Sequence, residues 1–497
     1  MAATVSPPDP DELPVPELAE DATRCAERLA AADRVLLASH IDADGLTSAA
    51  VASTALERSG IPHEVVFEKQ LDAASVAGIA DRAYDTVLFT DFGSGQLDHI
   101  AAHERAGHFE PVIADHHQPA SGEAADGGDC ETAYHLNPLL RGLNGASELS
   151  GAGAAYVLAR ALEPVGAERE AGHAADNRDL AALAVVGAVG DMQASGGELH
   201  GANAGIVAEG VAAGVLAEGQ DLAVYGKQTR PLPKLLEYAT DTFVPGISND
   251  EAGAVEFLRS LDLDLQDDDG DWRTWVDCSR EEQTAITSGL VERAIRSGVP
   301  ARKAETLVGT TYTLTEEPVG TELRDASEFS TLLNATARYE RGDVGLAVCL
   351  GDRDEGLARA RTLLRDHRRN LSEGLDWVKR TGITREEHIQ WFDAGDEIRE
   401  TIVGIIAGMA VGTSGVDRST PIIAFAHKSE AETKVSSRGT PALVGRGLDL
   451  SVVMGEAAAA VGGGGGGHDV AAGATIPAGE EAAFIETADR IVGDQLG

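Results

Sequence analysis

Three side chains able to hold a metal stand in a row at Asp115-His116-His117, directly after the apolar run Pro111-Val112-Ile113-Ala114. Other acids and a histidine close strand-like runs in the same way: His40, Asp42 and Asp44 after Val35-Leu36-Leu37-Ala38-Ser39, and Asp91 after Val87-Leu88-Phe89-Thr90. Asp191 follows Val185-Val186-Gly187-Ala188-Val189-Gly190, which reads as a helix ending on the acid. In an open α/β sheet, ligands bind outside the carboxyl ends of the strands, so these groups can converge on one crevice. Carboxylate oxygens suit hard divalent cations, and imidazole extends the preference toward manganese. Two such cations about 3.5–4 Å apart clamp a phosphate, one acidifying a water and the other stabilising the leaving oxygen. The spacing 40/42/44 is that of alternate extended residues, which face the same way. One segment would then serve both ions, with Asp91 bridging them from a neighbouring strand. For any single acid the competing explanation is a helix cap, such as Asp44 ahead of a helix at 46–59. Capping does not account for the whole set with its histidines.

The elements that must position these groups are legible as an alternation. Strands are expected at 34–40, 64–68, 86–91 and 111–115, with helices at 46–59, 72–81 and 97–106 between them. Such alternation argues for βαβ units and a parallel sheet. A helix at 18–31 leads into the first strand, and residues 1–15, rich in proline and acid, are expected to fray. A further strand at 133–138 is stopped by Pro138, and helices follow near 147–163 and 177–190. Residues 226–350 show no clear pattern. Their acidic loop Asp267–Asp271 lacks EF-hand register, with Leu265 and Val276 where ligands would be needed, and reads as solvated. A charged helix at 353–380 (Arg359, Arg361, Arg365, Arg368, Arg369) reads as a linker. Beyond it, strands are expected near 421–426, 432–438 and 448–453, with a closing helix at 480–494. The fold class is therefore α/β. Its expected parts are an N-terminal extension and helix (1–29), a parallel-sheet domain (30–225), a middle region (226–350), a helical linker (351–384) and a C-terminal α/β domain (385–497).

The chain carries 82 acidic against 40 basic residues among 497, a formal charge of -42. That charge repels nucleic acid and anionic membranes at low salt. The acids are spread along amphipathic segments, lysine is scarce, and Phe, Trp and Tyr make up only 4%. This is the composition expected of a halophilic protein in molar salt, where the Debye length falls to about 3 Å. Cys25, Cys130, Cys278 and Cys349 lie far apart without CxxC spacing, so neither a cysteine zinc site nor a disulfide framework is expected. Met1–Glu20 has neither the basic nor the apolar region of a signal peptide, and the apolar stretch Ile402–Val411 is too short to span a bilayer. A cytoplasmic location, without membrane association, is expected.

His40-Ile41-Asp42-Ala43-Asp44-Gly45, Thr90-Asp91-Phe92-Gly93, Asp115-His116-His117 and Gly187-Ala188-Val189-Gly190-Asp191 resemble, in order, the four motifs of the DHH phosphoesterase superfamily. The segment Glu148–Tyr156 is similar to a helix start of its RecJ-like branch, and Leu46 replaces an Asp of the short-oligonucleotide branches. Gly462–Gly467 with His468-Asp469-Val470-Ala471-Ala472-Gly473 resembles the glycine-rich signature of the DHHA1 substrate domain. The resemblance covers 30–200 and 385–497 and points to the archaeal RecJ-like, single-strand-specific exonucleases. It implies that His40, Asp42, Asp44, Asp91, His116 and Asp191 bind two Mn²⁺ or Mg²⁺ ions, with Asp91 shared. Which ion takes Asp42 and which Asp44 varies across the superfamily. It also implies a catalytic pair, His117 near the scissile phosphate and Asp115 orienting the histidines. Arg438 matches an arginine of the family's substrate domain and suits bidentate phosphate binding. With it go Ser436 on the same expected strand, and Gly466, Gly467 and His468, where bare backbone lets a phosphate approach closely. Ser327–Asn334, with Arg324 and Arg338, is similar to a stretch of archaeal RecJ-like proteins and reads as a structural helix.

The function this implies is metal-dependent exonucleolytic cleavage of single-stranded nucleic acid in replication or repair, 5′ to 3′ on DNA, with RNA as the other substrate. Two alternatives stand beside it: a non-catalytic, Cdc45-like subunit of a replication complex, and a phosphodiesterase for short oligonucleotides or cyclic dinucleotides. Partners would be single-stranded DNA or RNA and a GINS-type replication component or another nuclease. Salt limits how such a protein can bind. Affinity built on phosphate neutralisation falls steeply with ionic strength, so base stacking at about 1–3 kcal/mol per base matters more. The stacking candidates are Tyr134, Tyr156, Trp391 and Phe392, residue types more often found in cores.

Overall fold

Five short strands, of which 35–40, 86–90 and 110–114 are almost wholly buried, form an all-parallel sheet in the spatial order 63–68, 35–40, 86–90, 110–114, 135–136. In the computed structural model, residues 13–122, 128–169, 176–194, 197–239, 242–413 and 415–497 are described. Most of the segment expected to fray, 1–15, lies outside them. They divide into two units, 1–360 and 361–497. The first begins with α1 (Ala19–Ala30), β1 (Val35–His40), α2 (Ala43–Arg58), β2 (His63–Glu68), α3 (Ala73–Ala80), β3 (Thr86–Thr90), α4 (Leu97–Arg105), β4 (Glu110–Ala114) and β5 (His135–Leu136). The expected alternation holds, with one informative displacement. The first crossover helix starts at Ala43, not at 46, because Asp42 caps it by accepting a hydrogen bond from Gly45 N at 3.0 Å.

Three helices rich in alanine and glycine follow: α5 (Gly151–Arg169), α6 (Ala181–Gly190) and α7 (Ala202–Ala212). Their small residues let α2, α5 and α6 pack directly on one another. The chain then leaves along β6 (Leu216–Leu222) and returns along β7 (Val308–Leu314), two antiparallel strands paired from Leu216↔Leu314 to Leu222↔Val308. Between them α8 (Leu232–Glu237), α9 (Glu251–Ser260), α10 (Arg280–Arg296) and α11 (Ala301–Glu305) enclose their own core around Leu235, Leu258, Trp275 and Leu290. This is an insertion carried on a two-strand stalk. The acidic loop inside it spends its first carboxylate on its own turn, Asp267 Oδ1 accepting from Asp269 N at 3.0 Å and Asp271 N at 2.9 Å. After the insertion, α12 (Ala326–Arg338) packs on α6 and α2, and α13 (Gly342–Cys349) on α2.

Helix α14 (Glu355–Thr381) leads into the second unit, which contains β8 (Thr384–Arg385), β9 (Gln390–Asp393), α15 (Val403–Ala410), β10 (Ile422–His427), β11 (Glu432–Arg438), α16 (Pro441–Val444), α17 (Leu450–Ala460), β12 (Gly464–Gly467), β13 (Ala471–Pro477) and α18 (Glu481–Leu496). Six strands form a mixed sheet in the order β12-β13-β11-β10-β9-β8. One face packs Ile423, Phe425, Val435 and Ile476 against Val453, Met454 and Phe484 of α17 and α18. The other packs Phe392, Ile422 and Ala424 against Val403, Ile406 and Ala407 of α15. The strand expected at 448–453 is instead the start of α17. Asp449 caps it by accepting from Ser451 N at 2.9 Å, and its buried residues Leu450, Val453, Met454, Ala457 and Ala458 keep helical spacing. No helix among the described residues is long and apolar enough to cross a membrane.

The root of the insertion is tied to α12. Lys227 is buried against Asp221 at 3.1 Å and Asp325 at 3.7 Å. Fully buried Glu328 accepts from Gln228 N at 2.8 Å and Thr229 Oγ1 at 2.7 Å. Burial outweighs these bonds and pushes the Glu328 carboxyl up to about 7. A carboxyl with a raised folded pKa contributes stability that is fully present below its unfolded value and is lost as pH rises through 7. Between pH 5 and pH 8 the wild type should therefore lose about 2 kcal/mol relative to Glu328→Gln in guanidinium unfolding. A pH-independent difference between the two would contradict this assignment.

Candidate metal centre

From β1 and β3 the chain winds in opposite directions, β2 lying beyond β1 and β4 and β5 beyond β3. A switch of this kind opens a crevice beyond the strand ends. His40 ends β1, Asp91 follows β3, and Asp115-His116-His117 follow β4. Thr90 Oγ1 donates to Ser39 Oγ at 2.8 Å, pinning the two central strand ends together.

The expected alternation of 40, 42 and 44 on one extended face does not occur. The chain enters α2 at Ala43, so Asp42 and Asp44 diverge. Asp42 Oδ2 turns to His40 Nδ1 at 3.2 Å. Asp44 turns inward and accepts from Gly151 N at 2.7 Å and Ala152 N at 2.9 Å. Capping therefore accounts for part of the geometry of both acids, although the helix that Asp44 caps is α5 and not its own. The positive end of a 19-residue helix stabilises the Asp44 carboxylate without occupying all of its lone pairs.

Asp91 joins two sets of groups. Its Oδ2 lies 3.5 Å from His40 Nδ1, and its Oδ1 lies 3.3 Å from His116 Nε2, which is itself 3.7 Å from Asp44 Oδ2. Asp191, the C-cap of α6, brings Oδ2 within 3.8 Å of the His116 ring. Among the described residues three overlapping groups result, His40/Asp42/Asp91, Asp44/His116/Asp191 and Asp91/Asp115/His116/His117, in each of which one ligand atom per residue lies within 4.8 Å of the others. All six expected ligand positions are thus brought together. Close approach requires glycine at two places: a side chain at Gly151 would overlap Asp91 Oδ1, and one at Gly187 would overlap Asp44 Oδ1. Asp91 itself adopts φ 59°, a left-handed turn that costs on the order of 1 kcal/mol and that aspartate tolerates better than most residues.

The donor set fits a divalent cation. Asp91 Oδ1 is buried and has no hydrogen-bond partner. His116 Nδ1 donates to Gly145 O at 2.7 Å, so the ring when neutral presents the lone pair of Nε2 to Asp91 Oδ1; burial opposes a charge on this ring, but Asp91 and Asp44 outweigh it and raise its pKa well above the usual imidazole range. Two lone-pair-bearing atoms face each other in a buried space, an unfavourable arrangement unless a cation or proton lies between them. Burial, with the charges of Asp91 and Asp191, raises Asp44 well above the usual carboxylate range, and burial raises Asp191 as well. Burial also opposes charge on His40, yet Asp42 and Asp91 outweigh it and lift its pKa to about 11. Protons are held where cations would stand.

Asp115 is fully enclosed and surrounded by donors: Ser94 N at 2.9 Å, His116 N at 2.7 Å, and His117 through N at 3.2 Å and Nδ1 at 2.8 Å. Against the effect of burial, these bonds and the histidine charges hold its pKa below the usual carboxylate range. The hydrogen bond to Asp115 raises His117 in turn. Asp115 can therefore orient and polarise the histidines, while His117 stays exposed.

Three contributors escaped the reading of the sequence. Gln193 Nε2 donates to Asp191 Oδ2 at 2.8 Å and to Gly145 O at 2.9 Å, which the left-handed turn at Met192 makes possible. Asn203 holds Gln193 Oε1 at 2.6 Å. Asn334 Oδ1 accepts from Ala43 N at 3.1 Å, giving the structural helix at Ser327–Asn334 a contact with the segment that carries Asp42 and Asp44.

In the second unit, β-pairing sets Gly466 opposite Gly473 and Gly473 opposite Ser436, so these share a face with Arg438, two residues along β11. Gly467, opposite Ala472, falls on the other face, and His468 is exposed in the turn with its N donating to Ala471 O at 2.9 Å. The glycine run is a paired edge strand. Gly404 in the first turn of α15 abuts Ser436 and the Arg438 guanidinium. Of the stacking candidates, Tyr156 is buried with its hydroxyl on Glu209 at 2.6 Å and Phe392 is buried in the core, so neither offers a platform.

Residues 224–308 match the DHH-CID domain and residues 388–494 match the DHHA1 domain. These matches support a place in the DHH/DHHA1 superfamily. The DHH-CID match coincides with the insertion between β6 and β7, and the DHHA1 match with the mixed sheet. An uncharacterized protein of Methanocaldococcus jannaschii is 29% identical over 463 residues, covering 92% of this chain and 93% of that protein. Among solved structures, RecJ from Thermus thermophilus in complex with Mn²⁺ is 17% identical with a TM-score of 0.58, covering 98% of this chain; the chain spans only 56% of that protein's length. An exonuclease RecJ bound to manganese is 17% identical with a TM-score of 0.56, covering 97% of this chain and 95% of the other. CDC45 from Entamoeba histolytica is 11% identical with a TM-score of 0.60, covering 96% and 98%. At these identities the likeness is one of fold.

Ligand linkage gives the site a direct check. Mn²⁺ at 100 times its dissociation constant should stabilise the wild type by about 2.7 kcal/mol, read as a rise in Tm. Asp91→Asn should lose most of that rise. Asn334→Ala should keep it while lowering stability by about 1 kcal/mol through the lost cap.

Proposed function

We propose that the chain is a metal-dependent phosphoesterase that removes nucleotides from single-stranded nucleic acid, 5′ to 3′ on DNA and with RNA as a second substrate. The observation that carries this reading is Asp91, whose two oxygens face two separate sets of histidine and carboxylate groups and whose buried Oδ1 accepts no hydrogen bond. Two divalent cations, when bound, would supply charge neutralisation of the phosphate and acidify a water. His40, Asp42 and Asp91 would hold one, and Asp44, His116 and Asp191 the other, with Asp91 common to both.

The protein's own groups would do the rest. Asp115 fixes the His117 ring through Nδ1, leaving Nε2 outward as a proton donor toward the departing oxygen, a role its raised pKa favours. Gln193 fixes Asp191, and Gly145 fixes the tautomer of His116. In the second unit, Arg438, Ser436 and the bare backbone at Gly466 would contact phosphate, with Gly467 and His468 at the strand end beside them. We assign the catalytic domain to 30–225 and the substrate domain to 385–497, in a cytoplasmic protein adapted to high salt. A scaffold role in a replication complex draws support from the CDC45-like fold, but the complete acid and histidine set favours catalysis.

The test uses 5′- and 3′-labelled DNA and RNA strands and a dinucleotide, with Mn²⁺ in molar KCl. We expect stepwise cleavage of the strands by the wild type. Asp91→Ala should fall by about 10³-fold, the equivalent of several kcal/mol of lost transition-state stabilisation. Activity surviving in that variant would overturn the metal assignment. No metal-dependent cleavage by the wild type would favour the scaffold, and cleavage of the dinucleotide alone a short-oligonucleotide phosphodiesterase.

A further inference from the structure

A cleft of about 590 Å³ opens beside His40, Asp91 and His117. Its other walls come from the β2–α3 connection (Lys69–Asp72), the β3–α4 turn (Gly95, Gln96) and Gln118 after β4. The volume is that of a small-molecule subsite, for which about 300–1,000 Å³ is usual. The floor is apolar: Leu71 and Phe92 are both buried. The charges at its outer rim are committed elsewhere. Lys69 Nζ pairs with Glu340 Oε1 at 2.5 Å, and Asp72 caps α3 by accepting from Ser75 N at 2.8 Å. Away from the edge formed by His40, Asp91 and His117, what remains above the floor is a set of neutral amides: Gln70 and Gln118, both exposed, and Gln96, whose Oε1 accepts from Gly93 N at 3.2 Å.

Away from that edge, a phosphate has little to gain from such a lining. A flat, uncharged group with a hydrogen-bonding edge has much to gain, because each glutamine amide offers a donor and an acceptor over an apolar surface. We propose that this cleft is a nucleobase subsite, which holds the base of the nucleotide adjoining the scissile phosphate and contacts its edge through Gln70, Gln96 and Gln118. The inference rests on the nuclease reading of the adjoining centre and gives that centre's substrate class. It also meets the salt constraint. Neutral hydrogen bonds release no counterions, so base binding here keeps its strength where phosphate contacts weaken.

The test is a Gln70→Ala/Gln118→Ala double variant of the full chain, changed at two exposed positions outside the metal centre. The first readout needs no metal: binding of deoxyadenosine and of deoxyribose in EDTA and molar KCl by equilibrium dialysis. The second is cleavage, with Mn²⁺, of strands whose terminal nucleotide is intact or abasic. The wild type should bind deoxyadenosine about tenfold more tightly than deoxyribose, equivalent to about 1.4 kcal/mol. The double variant should bind both alike and should process the abasic-ended strand as the wild type does. A wild type without preference for the base, or a double variant that keeps the preference, overturns the subsite whatever the cleavage shows. A base preference lost in the variant, with no cleavage of any strand by the wild type, supports the subsite and overturns the nuclease reading alone.

Discussion

Four carboxylates and two imidazoles share one largely buried crevice, and most of the local detail of the first unit follows from that crowding. Two like charges 4 Å apart repel by about 4 kcal/mol at an effective dielectric of 20, so such a set needs compensation before any substrate arrives. The fold supplies part of it from backbone dipoles. Helix α5 points its first amides at Asp44, and Asp115 collects amides from Ser94, His116 and His117. The remainder is left open at Asp91 Oδ1 and His116 Nε2, where a cation fits. The left-handed turns at Asp91 and Met192 and the glycines at 151 and 187 are costs borne to bring these groups close.

The sheet and its helices were legible because their hydrophobic period is local, and so was the convergence of six acids and histidines from the strand and helix ends. The exact presentation of Asp42 and Asp44 was not. Alternation along an extended segment was a sound expectation, but Asp42 is also a good N-cap, and capping won by starting α2 three residues early. The run at 448–453 failed similarly, its branched residues reading as a strand while Asp449 and the later alanines make a helix. Gln193, Asn203 and Asn334 were invisible for another reason. Gln193 reaches Gly145 across 48 positions and Asn334 reaches Ala43 across 291, while Asn203 acts only through Gln193, and no local pattern records such bonds. In the insertion, α8, α9 and α11, of 6, 10 and 5 residues, are too short to carry a long period.

The net charge of -42 and the chemistry of the centre pose one problem at two scales. Over the whole surface, negative charge opposes approach of another polyanion, and salt that screens the repulsion also screens attraction. If the substrate is the nucleic acid proposed above, recognition must reside in short-range contacts at enclosed places, and the first unit offers aligned amides and fixed imidazoles there.

Helix α12 draws the insertion and the centre into one mechanical unit. Near its start, Asp325 and Glu328 grip Lys227, Gln228 and Thr229, the residues through which the chain enters the insertion. Two turns later Asn334 holds the first amide of α2. Against the effect of burial, the charge of Arg338 joins His40 in keeping Asp42 ionised. Between these anchors the helix is buried along much of its 13 residues and packs on α6, α13 and α2, so the insertion root and the segment that presents Asp42 and Asp44 share one packed support.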